Sequence, residues 1–475
     1  MREKCGIVMA RSYSGHDVSG FVVNGLKALQ HRGQEGWGVS LSWKFVFRRG
    51  GLVSHAEREF YSSLPNERFT SGIGHVRYST VGGAEYIQPL DIGESFRIAH
   101  NGTIANYQRL ALECGLDPRY YMSDTLVAGV LIEKLLTKRE GDWVGTLNEF
   151  VRVACGSFCF AIQLPNSDVI AVRDPMGFRP LCLGHHNETD TYVVASESCA
   201  LDVLGADLIR DVKPGEAIIM SKDGVESVQY VEQKESRICA FEYVYFAHPS
   251  SIIEGASVYE VRRMMGKLLA EKYPLNGDLV VPVPESARPA ALGFAEARRI
   301  PIEEALVKYR YFWKGRMRGF IEPKSDDRNE VSRWIIPIKS AVKDKEVILV
   351  EDSIVRGTTA KEIVETMRRA GAKRVGIVVT FPPIAHPCFM GIDFPDRSEL
   401  IAHKVSVGTE SGIEKTGERV AREIGADYVL YNDPETLARA IGRRLGQICV
   451  SCVTGDYGQL VDLPLTTTRR EFKGG

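Results

Sequence analysis

No apolar stretch in this chain approaches the roughly 18 residues that a membrane-crossing helix needs, so there is no candidate for a helical span and no membrane partner is expected. The opening segment MREKCGIVMARSYSG carries charges where a secretory signal needs an uninterrupted apolar core, and a cytoplasmic location is expected. Charge of one sign is not in excess either. Sixty Lys and Arg stand against 61 Asp and Glu, so a net charge of −1 supplies no bulk field toward nucleic acid, and no nucleic-acid partner is expected. Ten cysteines in 475 residues are too few for a disulfide scaffold, which leaves catalysis or metal binding as the informative uses of a thiol. Repeats, low-complexity tracts and Pro-rich linkers are missing as well. A chain this long without linkers calls for two or more domains of roughly 100–200 residues, each with its own core.

What is present centres on VILVEDSIVRGTT at 347–359. Four aliphatics predict a central parallel strand, two acids follow at its carboxyl end, and Ser353, Gly357, Thr358 and Thr359 form a loop that opens a helix. Small residues let backbone N–H groups approach an anion, hydroxyls add donors, and the helix start adds partial positive charge. An ordinary strand-to-helix turn explains the aliphatics and the glycine but not the acids. Glu351 and Asp352 are suited to vicinal ribose hydroxyls and to placing a Mg²⁺ that arrives with phosphates. Ile363, Val364, Met367 and Ala370 fall on one helical face, Gly371 stops the helix, and 374–379 predicts the next strand of a βαβ unit. Upstream, 279–286 predicts a strand delivering the Ser286 hydroxyl to the same edge.

The amino half is built differently. Short β-rich runs at 38–43, 73–78, 96–100, 157–162, 169–173, 192–195 and 217–220 are separated by Gly, Asn, Asp and Pro signals with few helices between them. Helical periodicity appears at 125–136, so stacked antiparallel sheets covered by helices are expected, an α+β arrangement. The charged stretch 231–237 predicts the crossover between the halves.

Cys5 lies just ahead of the apolar run Gly6-Ile-Val8, which alone says little, since a cysteine near a terminus is usually a small packed hydrophobe. Its company is informative. His31-Arg-Gly-Gln-Glu-Gly-Trp-Gly38, Gly74-His-Val-Arg-Tyr-Ser-Thr80, His100-Asn-Gly-Thr103 and Ser123-Asp-Thr125 follow in the order and approximate spacing of the class II glutamine amidotransferases, which this half resembles. The 347–359 stretch resembles the diphosphate-sugar signature of the type I phosphoribosyltransferases. Arg173-Asp-Pro-Met-Gly-Phe-Arg-Pro180, Ala195-Ser-Glu-Ser198 and Phe241-Glu-Tyr-Val-Tyr-Phe246 extend the likeness over nearly the full length, and the combination resembles the glutamine phosphoribosylpyrophosphate amidotransferase family.

That resemblance implies an N-terminal-nucleophile glutaminase domain at 5–230, exposed by removal of a propeptide at 1–4, joined to an α/β phosphoribosyltransferase domain at 238–475. It implies Cys5 as nucleophile with its own α-amine as base, and the Asn101 side chain and Gly102 backbone N–H as oxyanion donors. Arg77 is assigned to the glutamine α-carboxylate and Asp124 to its α-ammonium, while His31 and Arg32 are either loop-closing or structural. Ser286, Glu351 and Asp352 become metal or ribose contacts, and Arg356, Gly357, Thr358 and Thr359 hold the 5′-phosphate of phosphoribosyl pyrophosphate. Glu351 stands where an aspartate is commoner in the family.

Cys239, Cys388 and the pair Cys449-Val-Ser-Cys452 lie in the contexts of the family's cluster-bearing members. Four thiolates equally suit zinc, and the resemblance rather than the spacing favours [4Fe–4S]. Purine nucleotides as feedback inhibitors and a homotetramer are implied by analogy. The basic, glycine-containing segment 311–320 is expected to close over the sugar diphosphate, although it lacks the family's Arg-Thr-Phe-Ile core, and 408–418 reads as an insertion. A catalytically weak regulatory paralogue is the alternative that these departures leave open.

Overall fold

The computed structural model describes residues 5–78, 84–118, 123–232, 235–308, 335–392, 394, 396–406 and 412–458. The expected propeptide at 1–4, the basic segment 311–320 and part of the 408–418 insertion lie outside the described residues.

Two antiparallel sheets form the amino half. The seven-stranded sheet has Gly6–Ser12 at its centre, between Ser71–Arg77 and Thr191–Ala195; the six-stranded sheet pairs Phe96–Ile104 with Gly156–Gln163. Strict alternation is weak here because the central strands are buried on both faces, and all seven residues of Gly6–Ser12 are buried. Ile7, Met9 and Ile73 from one sheet meet Ala99, Ala161 and Ile218 from the other in a shared apolar layer. Helices cover both outer faces: Ser19–Ala28 and Ser198–Leu204 on the first sheet, Asp124–Lys138 and Trp143–Val153 on the second. There are more helices here than the sequence predicts. Val53–Ser63, for example, buries only Val53 and Phe60, two anchors seven residues apart, too sparse for its periodicity to register.

The carboxyl half holds a four-stranded parallel sheet in the order Leu279–Pro282, Glu346–Glu351, Arg374–Val379, Tyr428–Tyr431. Thr358–Arg369 and Ile413–Ile424 pack on one face, Val258–Lys272 and Arg288–Arg298 on the other. The predicted βαβ unit is therefore present. A short parallel pair, Ile238–Cys239 with Ile448–Cys449, ties the start of this half to its far end. The halves pack directly: Cys239 N–H donates to Phe178 O at 3.1 Å and Ser157 Oγ to Met390 O at 2.8 Å.

Candidate functional site

Cys5 sits half-buried immediately before the central strand, its Sγ 3.9 Å from Tyr78 O. Its backbone carbonyl accepts from Arg32 Nε at 3.2 Å. Arg77 ends the neighbouring strand and is buried; burial lowers its pKa, opposed first by a Cys5 thiolate, so cation and sulfur are electrostatic neighbours. Asn101 reaches the same place from the other sheet. Its side chain is fully buried, and its Nδ2 donates to Ser196 Oγ at 3.4 Å while Ile7 N–H donates to the same oxygen at 3.0 Å. Ser196 thus clamps the predicted oxyanion donor to the residue two beyond the nucleophile. Sequence reasoning gave it no role, although it lies in the matched Ala195-Ser-Glu-Ser198 segment.

Gly102 follows with φ +152, and a Cβ there would stand 2.1 Å from Ser157 O, so only glycine fits. Asp124 opens its helix beside this strand. One oxygen accepts from Ile104 N–H at 3.0 Å, and His100 Nδ1 is 3.8 Å away. Cys5 and Arg77 are thus neighbours, Asn101 is tied to the same strand through Ser196, and Gly102 and Asp124 are held along the strand that carries Asn101.

Behind Cys5 lies an ion network whose two arginines and two acids are fully buried. Arg32 donates to both oxygens of Glu242, at 3.0 and 2.9 Å, and also to Glu197. Arg179 Nη1 adds a 2.6 Å bond to Glu242, while His31 Nε2, Ser251 Oγ and His248 N–H complete Glu197. Burial works against ionising these acids. The adjoining His31 and the Arg32 guanidinium nevertheless hold Glu197 well below the usual carboxylate range, and Arg32 and Arg179 lower Glu242. His31 and Arg32 belong to this network, and Arg32 carries it to the nucleophile.

At the second site, Asp352 follows its strand and accepts from the Ser286 and Ser353 hydroxyls, while Glu351 Oε1 accepts from Asp352 N–H at 3.0 Å. Burial raises both acids. For Glu351 the neighbouring Asp352 charge adds to it, whereas Ser286, Ser353 and Arg262 pull Asp352 back. Gly357 caps the helix Thr358–Arg369 with φ +83, and a Cβ there would meet Ile401 Cδ1 at 2.4 Å. Thr358 and Thr359 are exposed at the helix start, and Arg356 Nε donates to Glu399 at 2.8 Å. The structure brings Ser286 to the acids across adjacent parallel strands, as the sequence predicts.

The cofactor expectations are corrected. Among the described residues, the group of His, Cys, Asp or Glu whose ligand atoms all lie within 4.8 Å of one another is His31, Glu197 and Cys199, with a single cysteine and three ligands. Cys239, Cys388, Cys449 and Cys452 form no such set, so a [4Fe–4S] centre is not assigned to them. Cys239 and Cys449 face each other in register, but burial raises the thiols of Cys239, Cys449 and Cys452, and Cys388 Sγ accepts from the N–H groups of Met390 and Ile392 at 3.3 and 3.4 Å. Of the expected Mg²⁺ contacts, the structure shows Ser286 bonded to Asp352 with Glu351 beside it, and the metal-holding group found among the described residues does not include them. Nor does the His31–Glu197–Cys199 group suit a cation, because the Arg32 guanidinium already occupies Glu197.

Residues 75–203 match a glutamine amidotransferase domain and residues 251–388 a phosphoribosyl transferase domain. The amidophosphoribosyltransferase of Methanocaldococcus jannaschii is 39% identical over 481 residues, covering 95% of this chain and 97% of that protein. The chain belongs to the amidophosphoribosyltransferases. The Pyrococcus horikoshii member is 42% identical over 472 residues, with 96% and 97% coverage. Among solved structures, the glutamine phosphoribosylpyrophosphate amidotransferase of B. subtilis, complexed with ADP and GMP, has a TM-score of 0.80 at 35% identity, covering 95% of this chain and 97% of that one. The architecture of the family, a glutaminase domain joined to a type I phosphoribosyltransferase fold, is the one described above.

Proposed function

We propose that the chain hydrolyses glutamine at Cys5 and transfers the ammonia to phosphoribosyl pyrophosphate, giving 5-phosphoribosylamine, glutamate and pyrophosphate, the opening reaction of purine synthesis. The observation that carries the site assignment is the Ser196 clamp, which fixes Asn101 Nδ2 against the strand that begins at the nucleophile.

With residues 1–4 removed, the Cys5 α-amine takes the thiol proton as sulfur attacks the glutamine amide carbon. The oxyanion that forms is met by Asn101 Nδ2 and the Gly102 N–H. The C–N bond then breaks, the ammonium returns its proton to nitrogen, and ammonia leaves a thioester that water hydrolyses. Arg77 and Asp124 hold the two charged ends of the amino acid, a planar fork on the carboxylate and a carboxylate on the ammonium. In the second half the ribose hydroxyls meet Glu351, Asp352 and Ser286, and the 5′-phosphate sits over Arg356, Gly357, Thr358 and Thr359 at the helix start. Ammonia attacks C1 as its bond to pyrophosphate breaks, and positioning supplies most of the acceleration.

We assign 5–230 and 238–475 as the two working domains, a homotetramer as the assembly, and the cytoplasm as the location. Among the described residues no helix is long and apolar enough to cross a membrane. Purine nucleotides are assigned as inhibitors, in keeping with the ADP and GMP bound by the B. subtilis relative. Nothing favours a weak regulatory paralogue, since the catalytic positions are filled. Phosphoribosylamine formation, assayed with glutamine and separately with ammonia, tests the whole reading; a protein that uses neither nitrogen source would refute it.

A further inference from the structure

The side-chain amide of Gln88, 7% exposed, joins two elements of the amidase half. Its Oε1 accepts from the His100 backbone N–H at 2.6 Å, on the strand Phe96–Ile104. Because a backbone N–H only donates, that bond fixes the orientation of the amide and leaves Nε2 as the donor to Thr125 Oγ1 at 3.0 Å. Thr125 is the second residue of the helix Asp124–Lys138. The same hydroxyl lies 3.2 Å from His100 Nδ1, and His100 Nε2 lies 3.4 Å from Ser157 O. A carbonyl only accepts, so the tautomer that satisfies both contacts carries its proton on Nε2 and takes the Thr125 proton at Nδ1. Gln88, Thr125 and His100 thus close a ring of hydrogen bonds, and all of them are buried.

The residue before Thr125 is Asp124, the acid assigned to the α-ammonium of glutamine. It has its own tie to the strand: Oδ2 accepts from Ile104 N–H at 3.0 Å, while Oδ1 accepts from Thr125 N–H at 2.9 Å. Between the two anchor points, His100 and Ile104, the strand carries the oxyanion donors Asn101 and Gly102. One tie alone would leave the helix start free to pivot; ties on both sides of the donors fix its place along the strand. The helix also lies close on its sheet, since a Cβ on Gly129 would meet Ile92 Cδ1 at 2.4 Å. Such apolar packing sets how near the helix lies but not its register, because it has no direction. The ring around Gln88 supplies the register.

We propose that Gln88 is a positioning residue: through Thr125 and His100 it holds Asp124 at a fixed span from Asn101 and Gly102, so that the α-ammonium and the amide carbonyl of one glutamine are met at once. This rests on the function proposed above.

The test uses the full chain with Gln88→Met, Thr125→Val and Thr125→Ser. Methionine and valine keep the bulk but remove the amide and the hydroxyl, whereas serine keeps the hydroxyl. Hydrolysis of glutamine is compared with that of 4-carbamoylbutanoate, which is glutamine without its α-amino group, on protein shown to be folded by melting temperature and gel filtration. For Gln88→Met and Thr125→Val, the KM for glutamine should rise about tenfold while kcat stays within about threefold, the signature of a lost binding contact. The kcat/KM for 4-carbamoylbutanoate should stay within about twofold, because that amide has no ammonium for Asp124 to hold. Thr125→Ser should keep the parent's KM for glutamine. If Gln88→Met fails to fold, Thr125→Val opens the same ring from its other end. An equal fall for both amides would mark a purely structural role and overturn the proposal, as would an unchanged KM for glutamine. A parent that does not prefer glutamine to 4-carbamoylbutanoate would overturn the assignment of Asp124, and a parent that releases no ammonia from glutamine would overturn the function beneath it.

Discussion

Replacing Glu242 by alanine removes the carboxylate that Arg32 and Arg179 share, and both of these arginines are essentially inaccessible to water. Arg32 keeps Glu197, but among the described residues Arg179 has no second acid, and its Nε and Nη2 already lack partners there. The variant therefore leaves a buried cation uncompensated, a change that typically costs about 3–5 kcal/mol. With a urea dependence of about 2 kcal/mol per molar, a loss of 4 kcal/mol moves the unfolding midpoint down by about 2 M. Glu242→Gln keeps the shape and one acceptor and should lose less. The pH dependence has a definite sign. Burial opposes ionisation, but Arg32 and Arg179 leave the folded Glu242 pKa below its ordinary value of 4.5. The stability this carboxylate contributes is therefore complete above about pH 4.5 and disappears as pH falls through the depressed folded value, and it should be absent from the acid limb of Glu242→Gln. Urea titrations of parent and both variants at pH 7 and pH 4 check this. A midpoint shift under 0.3 M for Glu242→Ala at pH 7 would show that the network contributes nothing net and that the reasoning is wrong.

Cys5→Ala should abolish glutamine-dependent synthesis and leave ammonia-dependent synthesis intact, and intact mass of active parent protein should correspond to a chain starting at Cys5. Ser196→Ala removes the clamp on Asn101 and should lower glutaminase kcat by roughly 10-fold, less than the roughly 10²–10³ expected for losing an oxyanion donor outright; an unchanged kcat would place Asn101 under other control. Asp352→Asn should depress synthesis from both nitrogen sources severely, measured as phosphoribosylamine formed, and an unchanged ammonia-dependent rate would remove Asp352 from the second site.

Much of the second half was legible in the sequence because its signals are local. Strand, acids, glycine turn and helix of the sugar-phosphate unit follow one another within 347–371, and the structure reproduces them as Glu346–Glu351 and Thr358–Arg369. The seven predicted strands of the first half are all strands, but Phe45–Gly50, Leu90–Ile92, Cys182–His186, Asp207–Asp211 and Gly224–Gln229 are not predicted, and each is short, polar or partly exposed along its length. The buried network was invisible for a different reason. Arg32, Arg179, Glu197 and Glu242 come from separate stretches of the sequence, and a charge in a sequence reads as solvated until the fold removes the solvent. The cysteine expectation shows the opposite error. Contexts in sequence suggested a ligand set, but sulfur-to-sulfur distance is a property of packing.

The parallel pairing of Ile238–Cys239 with Ile448–Cys449 also sets a schedule for making the molecule. Phe178, from the first half, shares an apolar cluster with Met390 and Cys449. A ribosome adding about 5–20 residues per second reaches position 449 roughly 15–50 s after position 178. Once Gln229 is made, the amino-half sheets are complete in sequence while Phe178 still waits for Cys449. A nascent chain that stalls between 239 and 448 therefore presents the open edge of Ile238–Cys239 beside a Phe178 that lacks its Cys449 contact, a target for chaperone capture or proteolysis.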